Sequence, residues 1–549
     1  MLTASQDWLH LFERETVECL IRMLPSVLRT RRWFGGKGRR IEAARMVESI
    51  AIPSGSTTTM LLLIQVEYGD GGFETYTLPV TAAFGEEEER IQQDFPQAVI
   101  APVAVQRNDR EETGLLYDAL WNRDAALALL QAISQESQFK GTAGSLNASS
   151  TNAFADLISA GTLPEPAVMK AEQSNTSVAY DNHVILKLYR RLERGMNPDL
   201  EIGRVLTRMQ FPYTPPIAGA LEYHCGTGEP VTLALLQKFV SNDGDAWRYS
   251  LEAVNQFLVR IIGEHLRDEP PPQTGFPPLE LARQEYSPVA RQLIGPYLES
   301  AERLGRQTAE LHVALSQVVN DPAFAPEPFT KEYRQARYDY MVRSTAGTLA
   351  LLEERMEVLS TVGQTQARRL LNLKPALERT FHAFRDLESP ISRIRCHGDY
   401  HLGQVLCTGA DFVITDFEGE PARSLAERRM KHPAMVDVAG MARSFHYAPF
   451  AFFEGKRAGI VTASQENPRH SALWARFWSD WANAAFLKGY LNIATGARFW
   501  PRDDEDIRLL FDAFLVEKAM YELGYELNNR PDWAEIPLHG LVEILEIKG

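Results

Sequence analysis

HGDYHLGQVLCTGADFVITDFEGEP, residues 397–421, packs acidic, amide and imidazole groups between two short apolar runs. Val405 to Cys407 and Phe412 to Thr415 have strand character, with Thr408-Gly409-Ala410-Asp411 as the turn of a hairpin. Pairing that hairpin sets position 404 opposite 415. Gln404 and Asp416 then meet at its open end, with Asp399 just before it. Two oxygen donors for Mg2+ and a separate carboxylate for an acceptor hydroxyl are what phosphoryl transfer requires.

Taken alone, the stretch also admits other chemistry. His397 and His401 are spaced like a helical zinc pair, but Gly398 and the following strand oppose a helix, and no third ligand has zinc-like spacing. Structural hydrogen bonding fits both better: His397 braces the loop, and His401 does likewise or faces substrate. Asp399, Asp416 and Glu418 would also suit the acid and base of a hydrolase. A glycosidase has no need of what lies upstream.

Upstream is AVMKAEQSNTSVAYDNHVILKLYRRLERGMNPDLEIGRVL, residues 167–206. Two strands, near Ala167 to Ala171 and His183 to Tyr189, flank a polar loop from Glu172 to Ser177. Its backbone amides, with Asn175 and the hydroxyls of Ser174, Thr176 and Ser177, can cradle phosphate oxygens. Lys187 alternates onto the face of Ile185 and Tyr189. It is either an ordinary solvent-facing residue or a phosphate-binding lysine. Asn197-Pro198-Asp199 starts a helix, and Glu201 lies early in it. A strand lysine held by a helix glutamate is the arrangement used by kinase-like folds. Thr232 to Leu236 is a buried strand leading through Gln237 and Val240 into the turn Asn242-Asp243-Gly244, a hinge between lobes. Backbone groups there can bond an adenine, or the segment is an ordinary strand-to-helix link.

The chain's 549 residues exceed one compact core, so several subdomains are expected. A formal charge of -15 argues against nucleic acid or anionic membrane as partner and favours a small molecule. Four scattered cysteines without CxxC spacing, no signal-like start and no long apolar run point to a cytoplasmic protein.

At the amino-terminal end, Trp8 to Leu24 has helical spacing and is expected to end at Pro25. RRWFGGKGRR, residues 31–40, is either a phosphate loop lacking the GxxxxGK[ST] spacing or a turn fixed by Trp33 and Phe34. Strand-like runs from Ala44 to Val80 make a helix-plus-antiparallel-sheet unit. The acidic run Glu86 to Glu89 reads as solvated surface, and Gly141 to Asn152 as an exposed connection. After the hinge, helices are expected at Leu251 to Leu266, Tyr297 to Val318, Tyr333 to Leu359 and Thr365 to Leu387, the last split at Pro375. His312 reads as part of a core-lining helix. The aromatic stretch from Trp474 to Tyr490 reads as core.

The joint pattern resembles the maltokinases, within the aminoglycoside-phosphotransferase-like branch of kinase-like folds and including forms fused to trehalose synthase. The matching words are RWFGGKGR, EQSNTS, the Lys187 strand, LGRQTAELH, HGDYHLGQVL, DFEGEPA, DVAGMARSFHYA and EKAMYELGYELNNRPDW. The resemblance implies an α+β, bilobal protein-kinase-like fold. It has an N-terminal cap at 1–95, a smaller mixed lobe at 96–240 and a mostly helical lobe at 241–549.

By the same resemblance, Asp399 is the catalytic carboxylate and Gln404 and Asp416 bind Mg2+, assisted by Glu418. Gln404 departs from the asparagine common in the wider branch but keeps an amide oxygen. Lys187 with Glu201 positions ATP, which is expected to phosphorylate maltose at its anomeric hydroxyl. His401, Arg443, Lys518, Tyr521, Glu522 and Tyr525 are the candidate sugar contacts. Lys518, Glu522 and Tyr525 share a helix face, which also fits a solvated ion pair. Glucosamine as acceptor, a catalytically silent nucleotide-binding module and a trehalose synthase partner stay open.

Overall fold

The computed structural model describes residues 1–13, 16–107, 110–158, 164–169, 174–266, 269–272, 277–409, 411–453 and 468–546. The chain forms two compact units. One comprises residues 1–210 and 215–241, the other 211–214 and 242–549.

The first unit is built on two sheets. In the first, strand Leu2–Ser5 lies parallel to Val99–Arg107, which continues antiparallel through Arg110–Asp118, Phe73–Phe84, Thr57–Tyr68 and Ile41–Ser54. Helix Val17–Thr30 buries Leu20, Leu24 and Leu28 in the same core as Ile64, Val66 and Leu78 of this sheet. Pro25 does not end this helix, contrary to the expectation. The apolar stripe runs past it to Leu28, so burial outweighs the one backbone bond that proline removes. The basic 31–40 segment is a turn. Phe34 is buried, the Arg190 guanidinium lies 4.9 Å over Trp33, and Arg39 pairs with Asp70 at 2.6 Å.

The second sheet runs Gln138–Lys140, Ser145–Ser150, Ile217–His224, Val231–Lys238, Val184–Tyr189, Asn175–Tyr180, Pro166–Val168, antiparallel throughout. Helix Arg123–Ser134 shares one apolar cluster with Ile50, Ile52, Leu61 and Leu63 of the first sheet and Leu186, Leu221 and Leu235 of the second. Two expectations change here. Residues 145–150 form a strand with Leu146 and Ala148 inward, not an exposed connection. Asn175, Thr176 and Ser177 also lie in a strand, because Asp181 (φ 47°) and Asn182 (φ 58°) make a tight turn that pairs them with Tyr189, Leu188 and Lys187. Glu172 and Gln173 of the expected loop lie outside the described residues.

Residues 142–144 wrap around Glu48, which is 1% exposed and follows a register shift in its own strand. Its carboxylate accepts from the backbone N–H groups of Thr142 (2.6 Å), Ala143 (3.1 Å) and Gly144 (2.7 Å) and from the Tyr223 hydroxyl (2.7 Å). Burial alone would raise its pKa, but hydrogen bonds from Thr142, Tyr223, Ser49 and Ala143 outweigh burial and hold it low. A carboxyl depressed on folding contributes fully above its unfolded pKa, and that contribution drains away as pH falls through the folded value. Glu48→Ala should therefore cost about 3 kcal/mol at neutral pH, through several orphaned donors. Urea titrations of the two proteins should show this gap shrinking as the solution is acidified below the ordinary carboxylate range.

The second unit is mostly helical. Its main helices are Ala246–Gly263, Tyr297–Ser316, Lys331–Glu354, Thr361–Asn372, Lys374–Asp386, Met435–Phe453, Pro468–Ala494, Asp504–Asn529 and Glu535–Glu546. The break before Lys374–Asp386 puts Pro375 in that helix's first turn, where its missing N–H costs nothing. Helices Tyr297–Ser316 and Pro468–Ala494 touch backbone to backbone. A Cβ on Gly305 would lie 1.9 Å from the Phe486 carbonyl oxygen, and one on Gly489 1.8 Å from that of Glu302. Trp474, Phe477, Trp478, Trp481, Phe486 and Tyr490 are buried core. No described helix is long and apolar enough to cross a membrane.

Candidate active site

The hairpin register is Val405↔Ile414, Leu406↔Val413 and Cys407↔Phe412, and the Thr415 N–H donates to the Gln404 carbonyl at 2.9 Å. Gln404 and Asp416 are thereby fixed at the open end. Asp416 takes φ 66°, a left-handed conformation that aspartate tolerates better than most residues. Carboxylate oxygens of Asp416 and Glu418 lie within 4.8 Å of each other. With the Gln404 amide oxygen these are hard oxygen donors, the chemistry that suits Mg2+.

The preceding loop is held from two sides. Asp437, in the first turn of helix Met435–Phe453, accepts from the backbone N–H of His397 (2.7 Å) and of Gly398 (2.9 Å), where φ is 84°. His312 Nε2 donates to the same carboxylate at 3.0 Å, while Nδ1 lies 2.8 Å from the Tyr490 hydroxyl. Burial pushes the Asp437 carboxyl up, but the His312 hydrogen bond and charge, with His397 and the Gly398 amide, hold it below its ordinary value. On the other side, His397 Nε2 donates to the Thr415 carbonyl at 2.9 Å, so Nδ1 accepts the Asp399 N–H at 3.4 Å. One imidazole thus ties the residue before Asp416 to Asp399.

Asp399 Oδ1 accepts from Lys518 Nζ at 3.0 Å, and Lys518 also reaches Glu420 Oε1 at 2.8 Å. Burial would lower the Lys518 pKa; the charges of Asp399 and Glu420 outweigh it and hold it well above normal. Glu420 is buried, yet Lys518 and Arg423 bring it down to about 2. Arg423 Nε lies 2.5 Å from Glu420, and Arg337 pairs with Glu517 at 2.6 Å behind it. Lys518 Nζ stands 4.8 Å over the Tyr521 ring, whose hydroxyl burial pushes up to about 12.

The other candidate sugar contacts divide. His401 accepts the Gly403 N–H on Nδ1 at 3.0 Å, and burial lowers its pKa, leaving a neutral ring with its proton on Nε2. Arg443 lies deeper than the other candidates. It is fully buried and grips Glu522 at 2.8 Å, so its place is behind the helix surface. Tyr525 is 47% exposed, with the Arg530 guanidinium over its ring at 5.6 Å.

In the first unit, Ser177 stands opposite Lys187 in the sheet register, and the Thr176 hydroxyl accepts from Arg190 Nε at 2.8 Å. Helix Pro198–Arg208 begins at Asn197 with proline in its first turn, as expected, and puts Asp199 and Glu201 in that turn, both buried. Lys187 Nζ donates to Asp199 Oδ2 at 3.2 Å, which also accepts from the Tyr189 hydroxyl at 3.1 Å. Ser174 is an exposed bend residue. Gln237 is paired within Val231–Lys238, and Val240 follows that strand.

Sequence reasoning gave no role to Asp199, Glu420 or Arg423, and did not pair Asp437 with His312. Asp199 carried a signal, since a carboxylate in a helix's first turn has the same claim on a strand lysine as Glu201. Glu420 and Arg423 carried only three-residue spacing.

Residues 28–121 match the family described as the maltokinase N-terminal cap domain. A glucosamine kinase of Streptacidiphilus jiangxiensis is 24% identical over 377 residues, 68% of this chain and 72% of the relative. One from Mycolicibacterium smegmatis is 23% identical over 378 residues, 68% and 78% of the two chains. Among solved structures, a glucosamine kinase in complex with glucosamine, ADP and inorganic phosphate superposes with a TM-score of 0.60. That match has 18% identity and covers 96% of this chain and 98% of that one. The fold is therefore kinase-like, with an N-terminal cap and a helical carboxy-terminal region.

Proposed function

We propose that this chain, a kinase of the maltokinase type, transfers the γ-phosphoryl group of ATP to the anomeric hydroxyl of maltose, giving maltose 1-phosphate and ADP. The observation that carries the reading is the Asp399 carboxylate, gripped by Lys518 and set by His397 at a fixed interval from the Asp416 turn. Asp399 orients the acceptor hydroxyl and takes its proton as the oxygen attacks phosphorus. Lys187, steadied by Asp199, offsets charge on the nucleotide phosphates. Gln404, Asp416 and Glu418 would hold Mg2+, which supplies charge neutralisation to the phosphoryl oxygens when bound. Tyr521 offers a ring face beside Lys518, the pairing of stacking surface and charged donor that suits a sugar. A trehalose synthase, as a source of maltose, is the partner this reading favours.

A second acceptor is supported by the curated relatives, which are glucosamine kinases. Purified protein with ATP and Mg2+ should be given maltose, glucose, glucosamine and trehalose, with ADP release followed and products identified by phosphorus NMR. The expected result is the highest kcat/KM with maltose and a phosphate at its anomeric carbon. Higher kcat/KM with glucosamine would replace maltose by that sugar. ATP binding without turnover on any sugar would mark a silent module.

A further inference from the structure

Away from Asp399, helix Met435–Phe453 meets helix Glu535–Glu546 at a cluster the reaction does not use. His446 projects from the first helix, and His539 and Glu543, four residues apart and so on one face, project from the second. One ligand atom from each lies within 4.8 Å of the others. Both imidazoles converge on Glu543 Oε2, from His446 Nε2 at 3.8 Å and from His539 Nδ1 at 3.6 Å. We propose that His446, His539 and Glu543 bind a divalent transition-metal ion, Zn2+ foremost, that clamps the two helices together.

Three further observations support it. Among the described residues, neither nitrogen of His446 nor Nδ1 of His539 has a hydrogen-bond partner, although these atoms are buried. Leaving such groups unsatisfied is costly, and an ion between them uses their lone pairs. Two nitrogens and a carboxylate form a known zinc donor set, and Zn–ligand bonds of about 2.0–2.2 Å put donors ~3.3 Å apart in a tetrahedron. The observed separations need only small side-chain shifts. Finally, Arg476 Nη1 donates to the other carboxylate oxygen, Glu543 Oε1, at 3.4 Å, while its Nε faces Asp480 Oδ2 at 3.6 Å. That contact orients the carboxylate as an outer partner does, leaving Oε2 for the ion. Water would fill the fourth position.

Tag-free full-length protein, stripped with chelator and reloaded with Zn2+, should retain a stoichiometric equivalent through gel filtration. Its Tm should rise by about 3–5 °C with excess free Zn2+. Co2+ in place of Zn2+ should give a tetrahedral visible absorption band. His539→Asn and Glu543→Gln should each weaken Zn2+ binding by about tenfold or more and remove the Tm shift, with kinase turnover preserved. His446→Ala belongs in the series; because it opens a packed site, the partly exposed His539 carries the test if that variant fails to fold. Absence of retained Zn2+ and of any Tm shift would overturn the proposal. So would zinc binding that His539→Asn and Glu543→Gln leave intact, since the ion would then sit elsewhere.

Discussion

Replacing Asp399 by asparagine should leave a folded protein that binds ATP normally and turns over about 10³-fold more slowly. The amide keeps the shape of the side chain but cannot take the acceptor's proton. Folding should survive because Lys518 retains Glu420 at 2.8 Å as a charge partner, so no ammonium is left buried alone. The loop itself is held by backbone bonds to Asp437 and by the His397 ring, neither of which involves the Asp399 carboxylate. ADP-release kinetics with ATP titration calorimetry on the same preparation make the check. A kcat within tenfold of wild type would remove Asp399 from the proton's path.

Asp437→Ala should produce the largest loss of stability, about 3–5 kcal/mol, together with a collapse of kcat. Asp437 is 1% exposed and satisfies three donors, the amides of His397 and Gly398 and the ring of His312. Alanine orphans all three in a site closed to water. Urea unfolding would measure the stability loss, and turnover at low temperature on the folded fraction would separate a slackened loop from simple unfolding. A fully active variant with an unchanged unfolding midpoint would show that the loop holds its shape without this carboxylate.

These two residues also mark how far the sequence could be read. Asp399, Gln404 and Asp416 sit in one short stretch whose alternation and turn residues dictate a register, so their neighbourhood was legible. The helix after Lys187 was legible too, because Asn197 and Pro198 announce its start. Asp437 and His312 were not, since they lie 125 residues apart on different helices, and only packing reveals that they share a bond. Spacing puts Lys518 on one helix face with Glu522 and Tyr525, but its grip on Asp399 spans too much chain for local pattern to disclose. The polarity of Thr176 and Ser177 resembles that of a loop. The tight turn at Asp181 and Asn182 overrides that polarity by giving the segment a strand to pair with.

The His397 ring has one more consequence. An imidazole is a rigid plate, and its two nitrogens grip the Asp399 amide and the Thr415 carbonyl at opposite corners. The gap between the base and the hairpin end is therefore gauged by an inflexible spacer rather than by rotatable bonds. Neither half of the site can drift in or out alone. A substitution elsewhere that shifts the hairpin must carry the base along with it, which makes the pair a single machined part.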